Sequence, residues 1–123
     1  MTAFREAFPI LLVDDVERAS GFYCSTLGFE EVYRNEDEHG LEFAFLALEP
    51  YGIGVGRRAE GDGRDFTLWI YADDVDAAAA DLRAAGAQEI LAPTDQPWGE
   101  RMCSFVDPNG HLVHVGAKAD DAA

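Results

Sequence analysis

The apolar positions of the chain fall into two successive sets, each typical of one helix and four strands. In the first set, Phe8 to Val13 is a short apolar run typical of a strand, and apolar residues at helical spacing follow from Val16 to Leu27. Asp14-Asp15 is suited to cap this helix, and Gly28 is suited to end it. Three further strands are predicted over 29–34, 41–48 and 53–57.

The second set repeats the order of the first. After the polar, glycine-rich loop from Arg58 to Arg64, a strand is predicted over 65–71 and a helix follows, capped by Asp73-Asp74 and closed by Gly86. The remaining strands are predicted over 88–91, 101–106 and 111–115. A frayed tail is expected from Lys118 onward.

The two sets are copies of one βαβββ unit. The helix caps Asp14-Asp15-Val16 and Asp73-Asp74-Val75 lie 59 residues apart, and the helix ends Leu27-Gly28 and Ala85-Gly86 lie 58 apart. A constant offset between matching features indicates an internal repeat, which fixes the architecture before function is considered. We therefore predict a single domain over 1–123, built from repeats at about 8–57 and 65–116.

Charge and composition exclude some classes of function. Twenty-four acidic residues against nine basic ones give a formal net charge of −15, which repels phosphate backbones and favours cationic partners, so no nucleic-acid partner is expected. The same charge could serve solubility alone. No apolar run approaches the roughly 20 residues of a membrane helix, and no signal peptide is visible. We therefore expect no membrane partner. The chain has only two cysteines, Cys24 and Cys103, so we expect both to be small core residues with reduced thiols, and we expect a cytoplasmic location.

Two segments carry a resemblance to a known family. Val13 to Tyr23, followed by Leu27-Gly-Phe29, resembles the first-helix signature of the glyoxalase/bleomycin resistance/dioxygenase (vicinal oxygen chelate) superfamily, and Asp107 to His114 resembles its closing hairpin. The resemblance implies an α+β fold in which two βαβββ modules form an open, barrel-like mixed sheet around a cavity. It also implies a homodimer that exchanges its amino-terminal strands near Pro9.

The resemblance also places the four metal-ligand positions of the superfamily, at Phe8, Gly56, Thr67 and His114. A divalent metal needs three or four His, carboxylate or thiolate ligands, and only His114 is a ligand of this kind. We therefore expect neither a metal nor another cofactor. The metal-dependent glyoxalase and dioxygenase activities of the superfamily are disfavoured on the same ground.

Strand alternation predicts which side chains share a face. If Thr67 faces the cavity, then so do Trp69 and Tyr71. One other strand is expected to present an empty face there, made of Gly52, Gly54 and Gly56. Bare backbone opposite aromatic rings suits a flat ligand, and aromatic faces attract cations. The alternative is that these glycines allow close strand packing and that both rings are core residues; we favour the pocket.

A closer resemblance lies within the superfamily. Gln96-Pro-Trp-Gly99 resembles a segment of the bleomycin resistance proteins, which bind their antibiotic without catalysis, and this implies ligand contacts for Trp69 and Trp98. His114 could donate a hydrogen bond to a ligand or act as a lone acid or base. Several carboxylates could line an acidic rim, although solvated surface is the simpler interpretation: Glu30, Glu31, Asp37, Glu38 and Glu100.

The sequence thus predicts a metal-free homodimer that sequesters a flat, cationic, aromatic small molecule of the bleomycin type and so confers antibiotic resistance. Its ligand-binding residues are predicted to be Trp69, Tyr71, Trp98, Gly52, Gly54, Gly56, His114 and Thr67. One alternative is a metal-dependent enzyme of the same superfamily, with glyoxalase, dioxygenase or thiol-transferase chemistry at a displaced or incomplete metal site. Another is a cavity that serves a host metabolite or a regulatory role.

Overall fold

The computed structural model describes residues 3–118, which form the order βαβββ twice. The elements are β1 (Phe4–Val13), α1 (Val16–Leu27), β2 (Glu30–Asp37), β3 (Gly40–Leu48), β4 (Tyr51–Arg57), β5 (Phe66–Ala72), α2 (Val75–Ala84), β6 (Gln88–Asp95), β7 (Glu100–Val106) and β8 (Leu112–Lys118). Every predicted helix and strand is present. Lys118 ends β8 instead of opening a frayed tail, and the rest of that predicted tail lies outside the described residues.

The chain divides into two compact units. The amino-terminal unit is Phe8–Thr67, and the carboxyl-terminal unit consists of residues 3–7 and 68–118. Within the first the strands lie in the order β2-β3-β4-β1, and within the second in the order β5-β8-β7-β6. The pairs β1–β4 and β5–β8 are parallel and the other pairs within each unit are antiparallel. The predicted α+β fold with mixed sheets is confirmed.

Both helices begin and end where the sequence pattern predicts. The side chain of Asp15 accepts a hydrogen bond from the backbone N–H of Arg18 at 3.1 Å, and Asp74 does the same for Ala77 at 3.1 Å. Each side chain satisfies one of the amide groups that the first turn of a helix leaves unpaired. Gly28 follows α1 with φ 81°, a left-handed conformation that glycine adopts without strain. No helix within residues 3–118 is long and apolar enough to cross a membrane.

One helix covers one face of the sheet in each unit. In the amino-terminal unit, α1 packs on β3 and β4 through a buried cluster of Val16, Leu41, Ala44, Leu46 and Val55. In the carboxyl-terminal unit, α2 packs on β5, β7 and β8 through Ala72, Val75, Ala78, Ala79, Cys103, Phe105, Val115 and Ala117. Burial raises the pKa of the Cys103 thiol to about 11. Cys24 is partly buried against the first core, so both free cysteines are small packing residues.

The opposite face of the amino-terminal sheet is filled, and the prediction of an empty glycine face is wrong. Phe43 and Phe45 of β3 and Ile10 of β1 cover the glycines of β4. A Cβ atom at Gly52 would lie 2.4 Å from the ring of Phe45. One at Gly54 would lie 2.9 Å from both Ile10 and Phe43. These glycines allow close packing of neighbouring side chains, which was the alternative interpretation.

Two alanine substitutions on this strand should therefore have different effects on stability. Gly52→Ala should lower the free energy of unfolding by about 1–3 kcal/mol, because the new methyl group overlaps the Phe45 ring. At Gly56 the nearest atom to an added Cβ is 3.5 Å away, so Gly56→Ala should be neutral or slightly stabilising. Urea unfolding followed by circular dichroism measures both. Equal stability of the two variants would show that Phe45 does not occupy this space.

Candidate ligand-binding site

The carboxyl-terminal sheet carries an aromatic and polar face opposite α2. Ile70 and Ala72 of β5 pack toward α2, so the alternate residues Trp69 and Tyr71 lie on the other side of the sheet. Strands β7 and β8 contribute polar groups beside them. This surface is termed the aromatic face, and it comprises Trp69, Tyr71, Trp98, Glu100, Ser104, His114, Gly116 and Lys118.

Trp69 forms the packed part of the aromatic face. Its side chain is 8% exposed, and its ring lies so close to Gly116 that a Cβ there would be 2.4 Å from the indole. The ring centroid lies 5.8 Å from that of Tyr71 and 5.9 Å from that of His114. The indole N–H is buried, and no acceptor among the described residues meets it at hydrogen-bonding geometry. Trp69 therefore positions its neighbours and offers little of its own surface.

Glu100 connects two aromatic side chains. The hydroxyl of Tyr71 donates to Glu100 Oε2 at 2.7 Å, and the indole N–H of Trp98 donates to Glu100 Oε1 at 2.6 Å. Each carboxylate oxygen thus accepts one aromatic donor. Both donors are neutral, so they solvate the carboxylate without neutralising its charge. Glu100 was one of five carboxylates for which solvated surface was the simpler interpretation, and the structure gives it this specific position.

Trp98 occupies the turn between β6 and β7. The backbone N–H of Gln96 donates to the Glu100 carbonyl at 2.7 Å, and Gly99 has φ 97°, so the turn is closed and tight. The indole remains 56% exposed although its N–H is bonded. The ring is thus exposed in a loop flanked by Pro97 and Gly99. An exposed indole fixed at one edge can present its face to a flat ligand.

Tyr71 is held as a neutral donor. Burial raises the pKa of its phenol well above the ordinary value, and the hydrogen bond to the negatively charged Glu100 raises this pKa further. The phenol therefore keeps its proton throughout the physiological range. The ammonium group of Lys118 lies over the same ring, 5.5 Å from the centroid. Lys118 is also the cross-strand partner of Glu100 in the β7–β8 pairing.

His114 is tied to a buried serine. Its Nδ1 lies 2.7 Å from the hydroxyl oxygen of Ser104, which is its cross-strand partner. Ser104 is only 3% exposed. The pair therefore fixes the orientation of the imidazole and does not present an exposed nucleophile.

Three of the four metal-ligand positions of the superfamily carry unsuitable groups, and only His114 could ligate a metal. The Phe8 ring packs edge-on against Phe45, with centroids 4.9 Å apart, while Gly56 has no side chain. Thr67 is 5% exposed and offers at best a hydroxyl. Within residues 3–118, no three His, Cys, Asp or Glu side chains come together as a metal site would require. This set of donors does not fit a divalent metal.

The structure brings together four of the predicted site residues, namely Trp69, Tyr71, Trp98 and His114. The three predicted glycines belong to the amino-terminal unit, where aromatic rings cover them. Sequence reasoning missed the roles of Ser104, Gly116 and Lys118. The β7–β8 hairpin contained the signal for two of them, because its register places Ser104 opposite His114 and Glu100 opposite Lys118.

Two clefts lie away from the predicted residues. One, of about 450 Å³, is in the amino-terminal unit beside the start of α1 and is polar, with Asp14, Glu17, Glu36, His39 and Arg57 among its lining residues. The other, of about 470 Å³, lies at the end of α2 and is mostly apolar. Neither includes a residue of the aromatic face.

The two tryptophans should be distinguishable in solution. The Trp69→Phe variant retains only the exposed Trp98, so its emission should be red-shifted and strongly quenched by acrylamide. The Trp98→Phe variant retains only the buried Trp69, so its emission should be blue-shifted and several-fold less quenched. Stern–Volmer constants measure the difference, and circular dichroism checks that both variants are folded. Equal constants would contradict the exposures of 56% and 8%.

Comparison with known proteins shows the family. The sequence profile of the Glyoxalase/Bleomycin resistance protein/Dioxygenase superfamily matches residues 7–115. An uncharacterized protein of Mycobacterium bovis is 30% identical over 121 residues, which cover 88% of this chain and 80% of that protein. A bleomycin resistance protein of Geobacillus stearothermophilus is 28% identical in an alignment of length 127 that covers 88% of this chain and 92% of that protein.

Solved structures agree with the sequence match. A methylmalonyl-CoA epimerase of Streptomyces coelicolor, in complex with 2-nitronate-propionyl-CoA, superposes with a TM-score of 0.76 over 98% of this chain and 99% of its own. At 20% identity this likeness shows the fold alone. The profile match spans both helices, the six strands β2 to β7 and parts of β1 and β8, and the resemblance of the first helix and the closing hairpin is confirmed. The chain belongs to the Glyoxalase/Bleomycin resistance protein/Dioxygenase superfamily.

Proposed function

We propose that this protein binds and sequesters a flat, cationic aromatic small molecule of the bleomycin type, without a metal and without catalysis. One observation carries the proposal. Tyr71 and Trp98 both donate to the carboxylate of Glu100, so a negative charge lies between two aromatic side chains, one of them exposed. A ligand that is both flat and positively charged complements this arrangement.

The energetics of the aromatic face favour such a ligand. Stacking on an aromatic side chain is worth about 1–3 kcal/mol, and a cation over a ring adds about 0.5–1 kcal/mol at an exposed site. The formal net charge of −15 also attracts cations over longer distances and speeds their association. The similarity to proteins named bleomycin resistance proteins supports this class of ligand.

Binding without catalysis agrees with the chemistry of the residues. The ligand positions at Phe8, Gly56 and Thr67 do not suit a metal, and the Ser104 hydroxyl is buried against His114. The remaining groups of the aromatic face offer stacking, hydrogen bonds and one carboxylate. These are sufficient to recognise a ligand, and they include no exposed nucleophile.

Titration with metal-free bleomycin and with N-methylquinolinium, each with and without EDTA, tests the proposal. Each should quench tryptophan fluorescence saturably, and added salt should weaken binding because it screens the charge of Glu100. Trp98→Ala should weaken binding by roughly ten- to a hundred-fold, the equivalent of one lost stacking contact. Calorimetry provides the affinities independently of fluorescence. Tyr51→Ala is the matched control, because Tyr51 is 79% exposed on β4 of the other unit.

Absence of saturable binding to either compound would overturn the proposed function. Tight binding by Trp98→Ala would place the site elsewhere, and binding abolished by EDTA would favour the metal-dependent alternative. Trp69→Ala is unsuitable for this experiment. Its ring is packed against Gly116, so its removal would cost about 3–5 kcal/mol of stability.

We also propose that the protein is a homodimer. Large apolar side chains are exposed on outer strands, including Val32 and Tyr33 of β2 and Ile90 of β6. Such surfaces are typical of interfaces. Residues 3–7 belong to the carboxyl-terminal unit, and within it the N–H of Asp73 donates to the Ala3 carbonyl at 3.0 Å. Strand exchange would make the same contact between subunits.

Sedimentation velocity at micromolar concentration should give twice the mass of one chain. The dimer fraction should rise with salt, because two strongly acidic chains repel each other and salt screens that repulsion. A monomer at every salt concentration would remove the dimer proposal and leave the ligand proposal standing.

A further inference from the structure

We infer that the ring of Tyr71 and the carboxylate of Glu100 form a subsite for an organic cation, and that Lys118 occupies this subsite in the free protein. The ligand's cationic group would replace the lysine ammonium when it binds. The identity of the replacing group rests on the proposed function. The intramolecular contact of Lys118 can be tested without any ligand.

The geometry places a cation on the ring of Tyr71. The Lys118 ammonium lies 5.5 Å from the ring centroid, within the roughly 6 Å over which a cation and an aromatic face attract. The ring cannot turn freely, because its hydroxyl donates to Glu100 at 2.7 Å. Lys118 is directly opposite Glu100 in the β7–β8 pairing. The cation, the ring and the carboxylate are therefore neighbours on one patch of the sheet.

Lys118 differs from the other basic residues of the chain. It is the single lysine in a sequence with eight arginines. Seven of those arginines contact a carboxylate within 4.0 Å among the described residues: Arg5, Arg34, Arg57, Arg58, Arg64, Arg83 and Arg101. The lysine has an aromatic ring as its partner instead.

The contact between Lys118 and the Tyr71 ring is weak enough for another cation to replace the lysine. A lysine ammonium at the end of a flexible four-carbon stem is strongly hydrated, so it gains entropy and hydration when it leaves the Tyr71 ring. A flat cation that stacks on Trp98 and places its charge on Tyr71 gains two contacts in return. A neutral flat molecule would displace the lysine without replacing its charge beside Glu100. The subsite should therefore prefer a cation such as N-methylquinolinium over neutral quinoline.

Because Lys118 is the single lysine, it can be observed directly. Reductive methylation with ¹³C-formaldehyde labels its amine and keeps the positive charge. The N-methyl resonance, assigned by its loss in Lys118→Met, should be shifted upfield by the Tyr71 ring relative to the Tyr71→Leu variant. Saturating N-methylquinolinium should move it toward the position seen in Tyr71→Leu. An identical position in the parent and in Tyr71→Leu would overturn the inference, whatever the protein binds.

Affinity measurements test the exchange of the Lys118 ammonium for the cationic group of the ligand. Lys118→Met should bind N-methylquinolinium about two- to five-fold more tightly, the size of an exposed cation–π contact. Glu100→Gln should bind it about ten-fold more weakly, because the charge is lost while an amide oxygen remains. Arg18→Met and Glu60→Gln are the matched controls, since each removes one charge from an exposed residue outside the aromatic face.

The outcomes separate the two proposals. If the parent binds N-methylquinolinium through Trp98 but Lys118→Met binds it no more tightly than Arg18→Met does, the exchange is overturned and the proposed function stands. If the parent binds neither N-methylquinolinium nor bleomycin, the proposed function and the exchange both fall. A gain confined to Lys118→Met together with the displaced N-methyl resonance supports the exchange.

Discussion

Each four-stranded sheet has one helix of its own, which can cover only one of its two faces. Strand alternation then sends every second side chain to the face without a helix. In the amino-terminal unit, Phe43 and Phe45 cover that face by lying over the glycines of β4. In the carboxyl-terminal unit, Trp69 lies over Gly116 in the same way, and the rest of the face carries polar groups. The candidate site is therefore a consequence of how one unit fills the face that its helix leaves open.

The two copies of the repeat fill the face that their helix leaves open with different residues. Both place an aromatic ring against a glycine of a neighbouring strand, which permits contact closer than any Cβ would allow. In the first copy Phe43 and Phe45, together with Ile10, cover the glycines of β4. In the second copy Tyr71, Ser104 and His114 bring hydroxyl and imidazole groups to the corresponding face. The candidate recognition groups are therefore concentrated in that copy.

The sequence allowed the helices, the strands and the superfamily to be predicted, because caps such as Asp15 and Asp74 act locally. The glycine face was misjudged because its filling depends on Phe43 and Phe45, which come from a different strand. Phe43 and Phe45 are two residues apart, so their side chains lie on the same face of β3. The pairing of β3 with β4 places them over the glycines. Long-range pairing also explains the missed roles of Glu100 and Lys118. From the sequence alone, each is an ordinary surface charge. Only the β7–β8 register shows that the two residues are cross-strand partners.

The electrostatic environment of Glu100 distinguishes it from other carboxylates of the chain. The guanidinium of Arg57 holds the pKa of Asp37 down at about 2, and Arg101 lowers the pKa of Asp76 in the same way. In those pairs an arginine neutralises the charge. Among the described residues, the side-chain hydrogen-bond partners of Glu100 are a phenol and an indole, which do not neutralise its charge, and Lys118, opposite it in the β7–β8 pairing, lies over the Tyr71 ring. Because a flexible ammonium is easily exchanged while a bidentate arginine is not, this carboxylate can attract an external cation.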